Sequence, residues 1–247
     1  QFKPGQKFSI QPAINYKGAL DAPGYSFPYI GGDATYIIIP GMVMEMDCLL
    51  DYEGDAYYAG SLAEPMSCIV GTFHAMYHTE PGSYEHKMGI REGGRMALLA
   101  GAGPMGLGTI DYVIHGDRKP GFLVVTDIDQ TRLDRVASIY TPEEAAKNGV
   151  KLEYINTKDI EDVPAHLLSM TEGKGFDDVL VFAPVRPVVE QADAILGRDG
   201  CLNFFAGPTD STFSAELNFY NVHYASTHIV GTSGGNTQDM IESLELM

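Results

Sequence analysis

A glycine-rich turn between an apolar strand and an apolar helix constrains this chain more than any other feature of its sequence. Residues 96–100 form a short apolar run, residues 101–106 read Gly-Ala-Gly-Pro-Met-Gly, and a helical pattern follows from about Met105 to Ile114. The pattern GxGxxG alone also occurs by chance, but the order strand, glycines, helix is the order that binds a pyrophosphate. The sequence therefore predicts the first βαβ unit of a nucleotide-binding parallel sheet.

Each glycine of this turn has its own physical reason to be glycine. Gly101 permits the tight turn, Gly103 lets the backbone approach a phosphate closely, and Gly106 lets the helix pack on the strand. The helix then directs its free N–H groups and the positive end of its dipole towards the phosphate. The residues of the turn that we expect to contact the cofactor are Gly101, Gly103, Pro104, Met105 and Gly106.

The acidic residue Asp127 directly follows the next predicted strand, Phe122 to Thr126, and lies 21 residues after Gly106. A carboxylate at this position accepts hydrogen bonds from the adenosine ribose and repels the 2′-phosphate of NADP, so the sequence predicts NAD(H). S-adenosylmethionine, which binds to a similar glycine loop and acid, is the rival ligand. For Arg132 two interpretations stay open, stacking near the adenine and a solvated place on its helix.

Apolar strands alternate with helical stretches through the rest of the chain, which predicts a doubly wound parallel α/β sheet of the Rossmann type. The first 80 or so residues predict instead a β-rich, irregular region, with strands at 8–11 and 36–39 and a helix at about 65–77. The further strands that we expect in the sheet are residues 152–155, 179–183, 201–206 and 228–231, and the further helices are 131–139, 159–170, 188–196 and one that starts at Thr237.

Charge and cysteine content exclude several classes of protein. The formal net charge of −17 repels phosphate backbones, which disfavours nucleic-acid binding by bulk electrostatics. No apolar run approaches the roughly 20 residues that a membrane span needs. The three cysteines, Cys48, Cys68 and Cys201, form no CxxC pair, and their wide spacing favours a cytoplasmic protein.

The glycine turn, the acid that follows it and the segment Leu-Ala-Glu-Pro-Met-Ser-Cys at 62–68 together resemble the zinc-type medium-chain alcohol and polyol dehydrogenases, such as sorbitol dehydrogenase. Within that family, residues 23–28, 200–208 and 230–236 are similar to the L-sorbose 1-phosphate reductases. The resemblance covers nearly all of the chain.

The resemblance implies two domains, part of a GroES-like catalytic domain at 1–78 and a Rossmann dinucleotide-binding domain at 79–247 with a truncated C-terminus. It implies hydride transfer between NAD(H) and a polyol or ketose, for example L-sorbose 1-phosphate to glucitol 6-phosphate, with zinc as the Lewis acid. Because Gln1 is not an initiator Met and Met247 ends a helix without a capping residue, we interpret the chain as a fragment. We expect this fragment to be inactive by itself and still to bind NAD(H).

The resemblance also implies one metal ligand in this chain, Glu64, while the cysteine and histidine ligands of the family would precede Gln1. The alternative for Glu64 is a carboxylate at a helix start, stabilised by the helix dipole. Residues 13–32, which match the region where many relatives hold a structural zinc with four cysteines, contain no cysteine, so we predict no structural zinc.

His74 and His78 are four residues apart in the predicted helix after Glu64 and would share one of its faces. This spacing can hold zinc, but packing or surface roles are favoured because Ala75 stands where a metalloprotease motif has glutamate. His223 and His228 lie among aromatic residues, which favours a packing or interface role over catalysis.

The predicted edge strand at 228–231 needs a cover or a partner, so we expect a homo-oligomer that acts on a small molecule, with no nucleic-acid or membrane partner. The alternatives to a zinc-dependent polyol dehydrogenase are a zinc-free medium-chain reductase and a non-catalytic dinucleotide-binding module. A methyltransferase comes last, because the long β-rich region and Glu64 would have no role in it.

Overall fold

The computed structural model describes residues 2–12, 14–19, 21–23, 25–32 and 34–247. Its contacts divide the chain into two units, one of Gln1–Gly71 with Gly234–Met247 and the other of Thr72–Ser233. The predicted domains, 1–78 and 79–247, stay a prediction. Among the described residues, every helix is too short or too polar to cross a bilayer.

The elements follow one another along the chain with short strands first and α/β alternation later. The strands are β1 (Phe8–Ile10), β2 (Leu49–Asp51), β3 (Tyr77–His78), β4 (Lys87–Met88), β5 (Arg95–Leu99), β6 (Phe122–Asp127), β7 (Lys151–Asn156), β8 (Phe176–Val181), β9 (Leu196–Phe204) and β10 (His228–Gly231). The α-helices are α1 (Gly41–Glu45), α2 (Tyr57–Gly60), α3 (Ala63–Ala75), α4 (Pro104–His115), α5 (Gln130–Ile139), α6 (Pro142–Lys147), α7 (Val163–Ser169), α8 (Arg186–Ala194), α9 (Phe219–Tyr224) and α10 (Thr237–Glu245).

A six-stranded sheet organises the larger unit, with the strand order β10-β9-β8-β5-β6-β7 and every neighbouring pair parallel. The chain winds outward from β5 to β7, then returns to the other side of β5 and winds outward again to β10. The order reverses between β5 and β8, and in such sheets ligands bind in the crevice at the carboxyl ends of these strands. The predicted Rossmann-type parallel α/β fold is confirmed.

The central strands of this sheet are buried on both faces, because helices cover both sides of a parallel sheet. In β5, Met96, Ala97, Leu98 and Leu99 are each at most 2% exposed. Burial of a Leu or Met side chain contributes roughly 1.5–3 kcal/mol to the stability of the folded chain. These strands therefore anchor the loops at their carboxyl ends on a rigid core.

The predicted elements of the sheet all form, with shifts at their ends. The strand at 228–231 is observed as predicted, whereas the helix predicted to start at residue 159 begins at Val163. The side chain of Asp162 accepts a hydrogen bond from the N–H of Ala165 and so defines this start. Helices α6 and α9 were not predicted, although Thr141 and Asn218 cap them in the usual way.

The smaller unit holds a short antiparallel pair, in which Phe8 of β1 lies opposite Asp51 of β2. The strand predicted at 36–39 is wrong: Tyr36 is 92% exposed and Ile38 is 66% exposed, and this segment pairs with no strand among the described residues. A β-branched run becomes a strand only where a partner strand and a packing surface are present. Here the composition of the segment favours a strand, but among the described residues no neighbouring strand pairs with it.

Candidate functional site

The glycine turn lies at the carboxyl end of β5, beside the reversal of strand order. Ala100 leaves β5 with a left-handed φ of 55°, and the N–H of Gly101 donates to the carbonyl of Thr126 at 2.8 Å. A Cβ on Gly101 would lie 2.8 Å from the Cβ of Leu98. The turn is thus tied to β6 and too close to β5 for a side chain at Gly101.

Gly106 and Gly103 are glycine for different reasons. A Cβ on Gly106 would lie 1.8 Å from the carbonyl oxygen of Gly101, so the close packing of α4 on the turn excludes any side chain there. A Cβ on Gly103 would meet nothing within 4 Å, and its φ of −83° suits any residue. The protein itself does not require glycine at Gly103, where the backbone faces open space.

Helix α4 begins at Pro104, and no side chain caps it. Proline suits this first position because its missing N–H would have no partner in the helix. An uncapped helix start leaves N–H groups and the positive end of the dipole free for an anion. The next three helices differ, since side chains cap them: Asp129, Thr141 and Asp162.

The structure places Asp127 beside the glycine turn. Its carboxylate is almost fully buried, at 6% exposure of the residue. The Oδ2 atom accepts a hydrogen bond from the N–H of Ala102 at 3.3 Å, and Oδ1 accepts from Ile128 at 2.8 Å and Asp129 at 3.1 Å. The order of elements in the sequence thus brings this acid to the turn, and three backbone N–H groups fix its orientation.

Arg132 and Met105 occupy ordinary positions on their helices. The side chain of Arg132 is 63% exposed, and its Nε lies 3.7 Å from Oδ2 of Asp129. Met105 is half-buried in the first turn of α4. The contacts of both residues with a cofactor stay predictions, as do both interpretations of Arg132.

Glu64 lies in the first turn of α3 and is half-buried. The thiol of Cys68, one turn later, donates to its Oε1 at 3.5 Å. Within the described ranges, no three side chains of His, Cys, Asp or Glu come together as a metal site would require. The described residues therefore do not complete a zinc site, and Glu64 as a ligand stays a prediction.

The predicted shared helical face of His74 and His78 is wrong. Helix α3 ends at Ala75, and His78 belongs to β3, where it lies opposite Lys87 of β4. The antiparallel pairing of β3 with β4 takes the backbone groups that another helical turn would need. The buried side chain of His78 instead contacts Asp178 and Asp199.

A buried network of ion pairs surrounds His78 at the amino-terminal edge of the sheet. Its Nε2 lies 3.0 Å from Oδ1 of Asp178, and its Nδ1 lies 2.9 Å from the carbonyl of Asp199. The Nε2 of His228 lies 2.8 Å from Oδ1 of Asp199, and its ring packs on Tyr77. Sequence reasoning missed this network, because its members come from distant segments and form no motif.

Burial and pairing act against each other on the pKa values of this network. Burial disfavours the imidazolium, but the hydrogen bond and charge of Asp178 outweigh it and raise the pKa of His78. Burial raises the pKa of Asp178 in spite of the hydrogen bond from His78. For Asp199, burial is outweighed by hydrogen bonds from Thr79 and His228, which lower its pKa.

Comparison with known sequences gives one family and several relatives. The profile of the family described as zinc-binding dehydrogenase matches residues 122–247. The chain is 57% identical over 246 residues to mannitol-1-phosphate 5-dehydrogenase of Aliivibrio fischeri and 49% identical over 247 residues to L-sorbose 1-phosphate reductase of Klebsiella pneumoniae. These alignments cover all of this chain but 58% and 59% of the two relatives, so the chain spans less than two thirds of their length.

Solved structures share the fold at low identity. All of this chain superimposes on 63% of 2R,3R-butanediol dehydrogenase from Bacillus subtilis, with a TM-score of 0.70 and 18% identity. It also superimposes on 66% of an NADP-bound protein of Sinorhizobium meliloti 1021, with a TM-score of 0.72 and 16% identity. A third match is zinc-dependent alcohol dehydrogenase 2 from Streptococcus pneumonia, with a TM-score of 0.61 at 18% identity, covering 87% of this chain and 53% of that one. At these identities the similarity shows the fold.

Proposed function

Because the chain belongs to the zinc-binding dehydrogenase family, we propose that the protein is an oxidoreductase that transfers a hydride between NAD(H) and a polyol or ketose. The observation that carries this proposal is the open backbone at Gly103, beneath the uncapped start of α4 and beside Asp127. A turn of this shape has no side chain where the dinucleotide approaches the backbone. It also directs backbone N–H donors towards the charged pyrophosphate of the dinucleotide.

The roles of the residues follow from their positions. The pyrophosphate would lie over Gly103 and accept hydrogen bonds from the N–H groups of Met105 and Gly106 at the start of α4. Asp127 would accept hydrogen bonds from the adenosine ribose with the lone pairs that its backbone partners leave free. A 2′-phosphate at that point would meet this carboxylate, so NADH is preferred over NADPH. Arg132, exposed near the end of β6, would lie on the adenine side.

The substrate that we propose is a phosphorylated hexitol or ketohexose. The two curated relatives named above are a mannitol-1-phosphate 5-dehydrogenase and an L-sorbose 1-phosphate reductase, and over its whole length this chain is 57% identical to the first and 49% identical to the second. The pair L-sorbose 1-phosphate and glucitol 6-phosphate is the first to test, and mannitol 1-phosphate is the second. A homo-oligomer is part of the same proposal, since β10 is an edge strand.

Zinc belongs to the proposal at the level of the whole protein. A catalytic zinc supplies a Lewis acid that polarises the reacting carbonyl. Glu64 would be one ligand within residues 1–78, the proposed part of the GroES-like catalytic domain. The remaining ligands would come from outside the described residues. No structural zinc is proposed, because residues 13–32 hold no cysteine.

The test is turnover by the protein expressed at the full length of its gene. NADH oxidation is followed by absorbance with L-sorbose 1-phosphate, before and after treatment with EDTA and after return of zinc. The expected result is turnover that EDTA abolishes and zinc restores. Turnover that EDTA treatment does not reduce would identify a zinc-free reductase. NADH binding without turnover would identify a non-catalytic dinucleotide-binding module. The 247-residue chain alone serves as a control, expected to bind NADH without turnover.

A further inference from the structure

The segment of residues 77–91 lies along the amino-terminal half of the six-stranded sheet, within the unit Thr72–Ser233. It contains β3 and β4 and leads into β5. Within this segment only His78 and Ile90 are buried, and the loop between its two strands is largely exposed. Regions with few buried apolar contacts open locally at a low free-energy cost, so polar contacts must hold this segment on the sheet.

The polar contacts of the segment converge on two aspartates, Asp178 of β8 and Asp199 of β9. The N–H of Thr79 lies 3.0 Å and 3.1 Å from the carboxylate oxygens of Asp199, and the hydroxyl of Thr79 donates to Oδ1 at 2.6 Å. The N–H of Arg91 donates to Oδ2 of Asp178 at 2.9 Å. His78 lies between the two aspartates and contacts both. The start and the end of the segment are therefore attached to the same pair of residues.

The surroundings of the two ring nitrogens determine which protonation state of His78 fits this site. Nδ1 lies 2.9 Å from the backbone carbonyl of Asp199, and a carbonyl oxygen only accepts, so Nδ1 must carry a proton. Nε2 lies 3.0 Å from Oδ1 of Asp178, and it must carry a proton as well when that carboxylate is ionised. The site therefore fits the imidazolium. A neutral ring would leave a nitrogen lone pair against an oxygen lone pair.

The guanidinium of Arg91 offers Nδ1 a weaker alternative partner. One of its nitrogens lies 3.4 Å from Nδ1, and the same nitrogen makes a shorter hydrogen bond with Oδ2 of Asp199. A guanidinium nitrogen only donates, so it would need a lone pair on Nδ1. The carbonyl of Asp199 at 2.9 Å disfavours such a lone pair. The distances thus favour donation by Nδ1 to this carbonyl.

The charges that face the ring of His78 come from three elements of the chain. Asp178 faces Nε2, the Oδ2 atom of Asp199 lies 3.5 Å from Nδ1, and Arg91 is the cation. Burial acts to lower the pKa of His78, but the hydrogen bond and charge of Asp178 outweigh burial and raise it. The ionisable side chains next to these charges are Asp177, Tyr77, Cys201 and His228.

We propose that His78 is a pH-dependent switch: its doubly protonated ring holds the 77–91 segment on the sheet, and loss of one ring proton releases the segment. The neutral ring turns one attractive contact into a repulsive one, and His78 is only 5% exposed, so water does not replace the lost hydrogen bond. Because the folded pKa is raised, the segment is fully held below the ordinary value of 6.5 and is released as the pH rises through the folded pKa.

Hydrogen–deuterium exchange of the 247-residue chain, read by mass spectrometry, tests this switch. The observable is the protection factor, which compares exchange of a peptide in the folded chain with its exchange in the unfolded chain at the same pH. Between about pH 6 and about pH 9, the protection of peptide 77–91 should fall at least about tenfold. The peptide that carries β5 reports on the core and should keep its protection. An equal loss in both peptides would be global unfolding and would overturn a local switch.

Asp178→Asn removes the need for the second ring proton and keeps the shape of the site. Its amide oxygen accepts from the N–H of Arg91, and its amide nitrogen donates to Nε2 of a neutral ring. We therefore expect equal protection of peptide 77–91 at both pH values. Asp111→Asn, which alters the exposed pair with His115, is the matched control and should keep the pH dependence of the unaltered chain. A pH dependence that persists in folded Asp178→Asn would overturn the role of this pair.

A second measurement observes the ring in the unaltered chain. The ¹⁵N NMR signals of the histidine rings report their protonation, and comparison with the spectrum of His78→Gln identifies the signals of His78. We expect both ring nitrogens to carry a proton near about pH 6 and one of them to lose it at the pH at which peptide 77–91 loses protection. A ring that carries a single proton throughout, or loss of protection at a different pH, would overturn the proposal.

Discussion

The carbonyl oxygen of Gly101 lies where a side chain on Gly106 would begin, since a Cβ there would be 1.8 Å away. The contact joins the end of β5 to the first turn of α4 with no space between two backbones. Neither group is the flexible end of a side chain, so neither can move without moving an element. The shape of the turn therefore depends on glycine at this position.

Gly106→Ala should destabilise the chain and disorder the turn. The clash is with backbone, so we expect a cost of about 3 kcal/mol, at the upper end for overpacking. Urea unfolding measures this loss, and NADH binding should disappear with it. A variant as stable as the unaltered chain would contradict the described packing.

Gly103→Ala is the matched comparison for the same turn. An added Cβ at Gly103 meets no protein atom within 4 Å, so we expect a change in unfolding free energy within about 0.5 kcal/mol. The methyl group would stand where the pyrophosphate approaches, so NADH affinity should fall about tenfold or more. Unchanged affinity, measured by NADH fluorescence, would show that the space over Gly103 is not the phosphate site.

His78→Gln should change stability in a way that depends on pH. The pKa of folded His78 is raised above its ordinary value of 6.5, so its stabilising effect is complete below that value and is lost as the pH rises through the folded pKa. Asp178, whose pKa is also raised, acts in the same direction, and the carboxylate of Asp199 and the guanidinium of Arg91 also face the ring. We expect the variant to lose about 3 kcal/mol near pH 6 and less near pH 9.

Chemical denaturation at several pH values checks this prediction. His115→Gln is its control, because His115 is exposed and its pair with Asp111 lies on the surface, where such pairs contribute roughly 0–1 kcal/mol. A constant difference between the His78 variant and the unaltered chain at all pH values would mean that folding does not raise the pKa of His78.

Cys201 should be inert in the folded chain. Its side chain is fully buried in β9, and burial, with the charges of Asp178 and Asp199, raises its pKa to about 12. Because the thiolate is the reactive form, alkylation by iodoacetamide near pH 8 should be at least about a hundredfold slower than in the urea-unfolded chain. Mass spectrometry of the peptide that carries Cys201 measures both rates. Equal rates would contradict the described burial.

The fold and the cofactor turn were predictable because their signals are local. The strand, the glycines, the helix and Asp127 follow one another within about thirty residues. This order is the one that a dinucleotide-binding βαβ unit requires. Strands that are buried on both faces are apolar throughout, so the strands of the sheet could be predicted from the apolar runs in the sequence. The end of α3 was not predictable in this way, because it depends on the pairing of His78 with Lys87 in the following strand.

The rest depended on contacts between distant segments. His78 meets Asp178 and Asp199 only after the sheet has assembled, and no spacing in the sequence indicates that meeting. The segment 36–39 has the composition of a strand, yet strand formation needs a partner that composition cannot supply. The roles of Glu64 and Arg132 stay predictions, since their partners in the proposed function are a metal and a cofactor.

The central claim is a dinucleotide site whose acid selects NADH, and titration of NADH and NADPH fluorescence on the unaltered chain and on Asp127→Ala tests it most directly. Unfolding curves accompany both proteins, because Asp127 also accepts hydrogen bonds from Ile128 and Asp129. We predict that the unaltered chain binds NADH at least about tenfold more tightly than NADPH, and that folded Asp127→Ala loses this preference. Binding of neither nucleotide, or tighter binding of NADPH by the unaltered chain, would contradict the account.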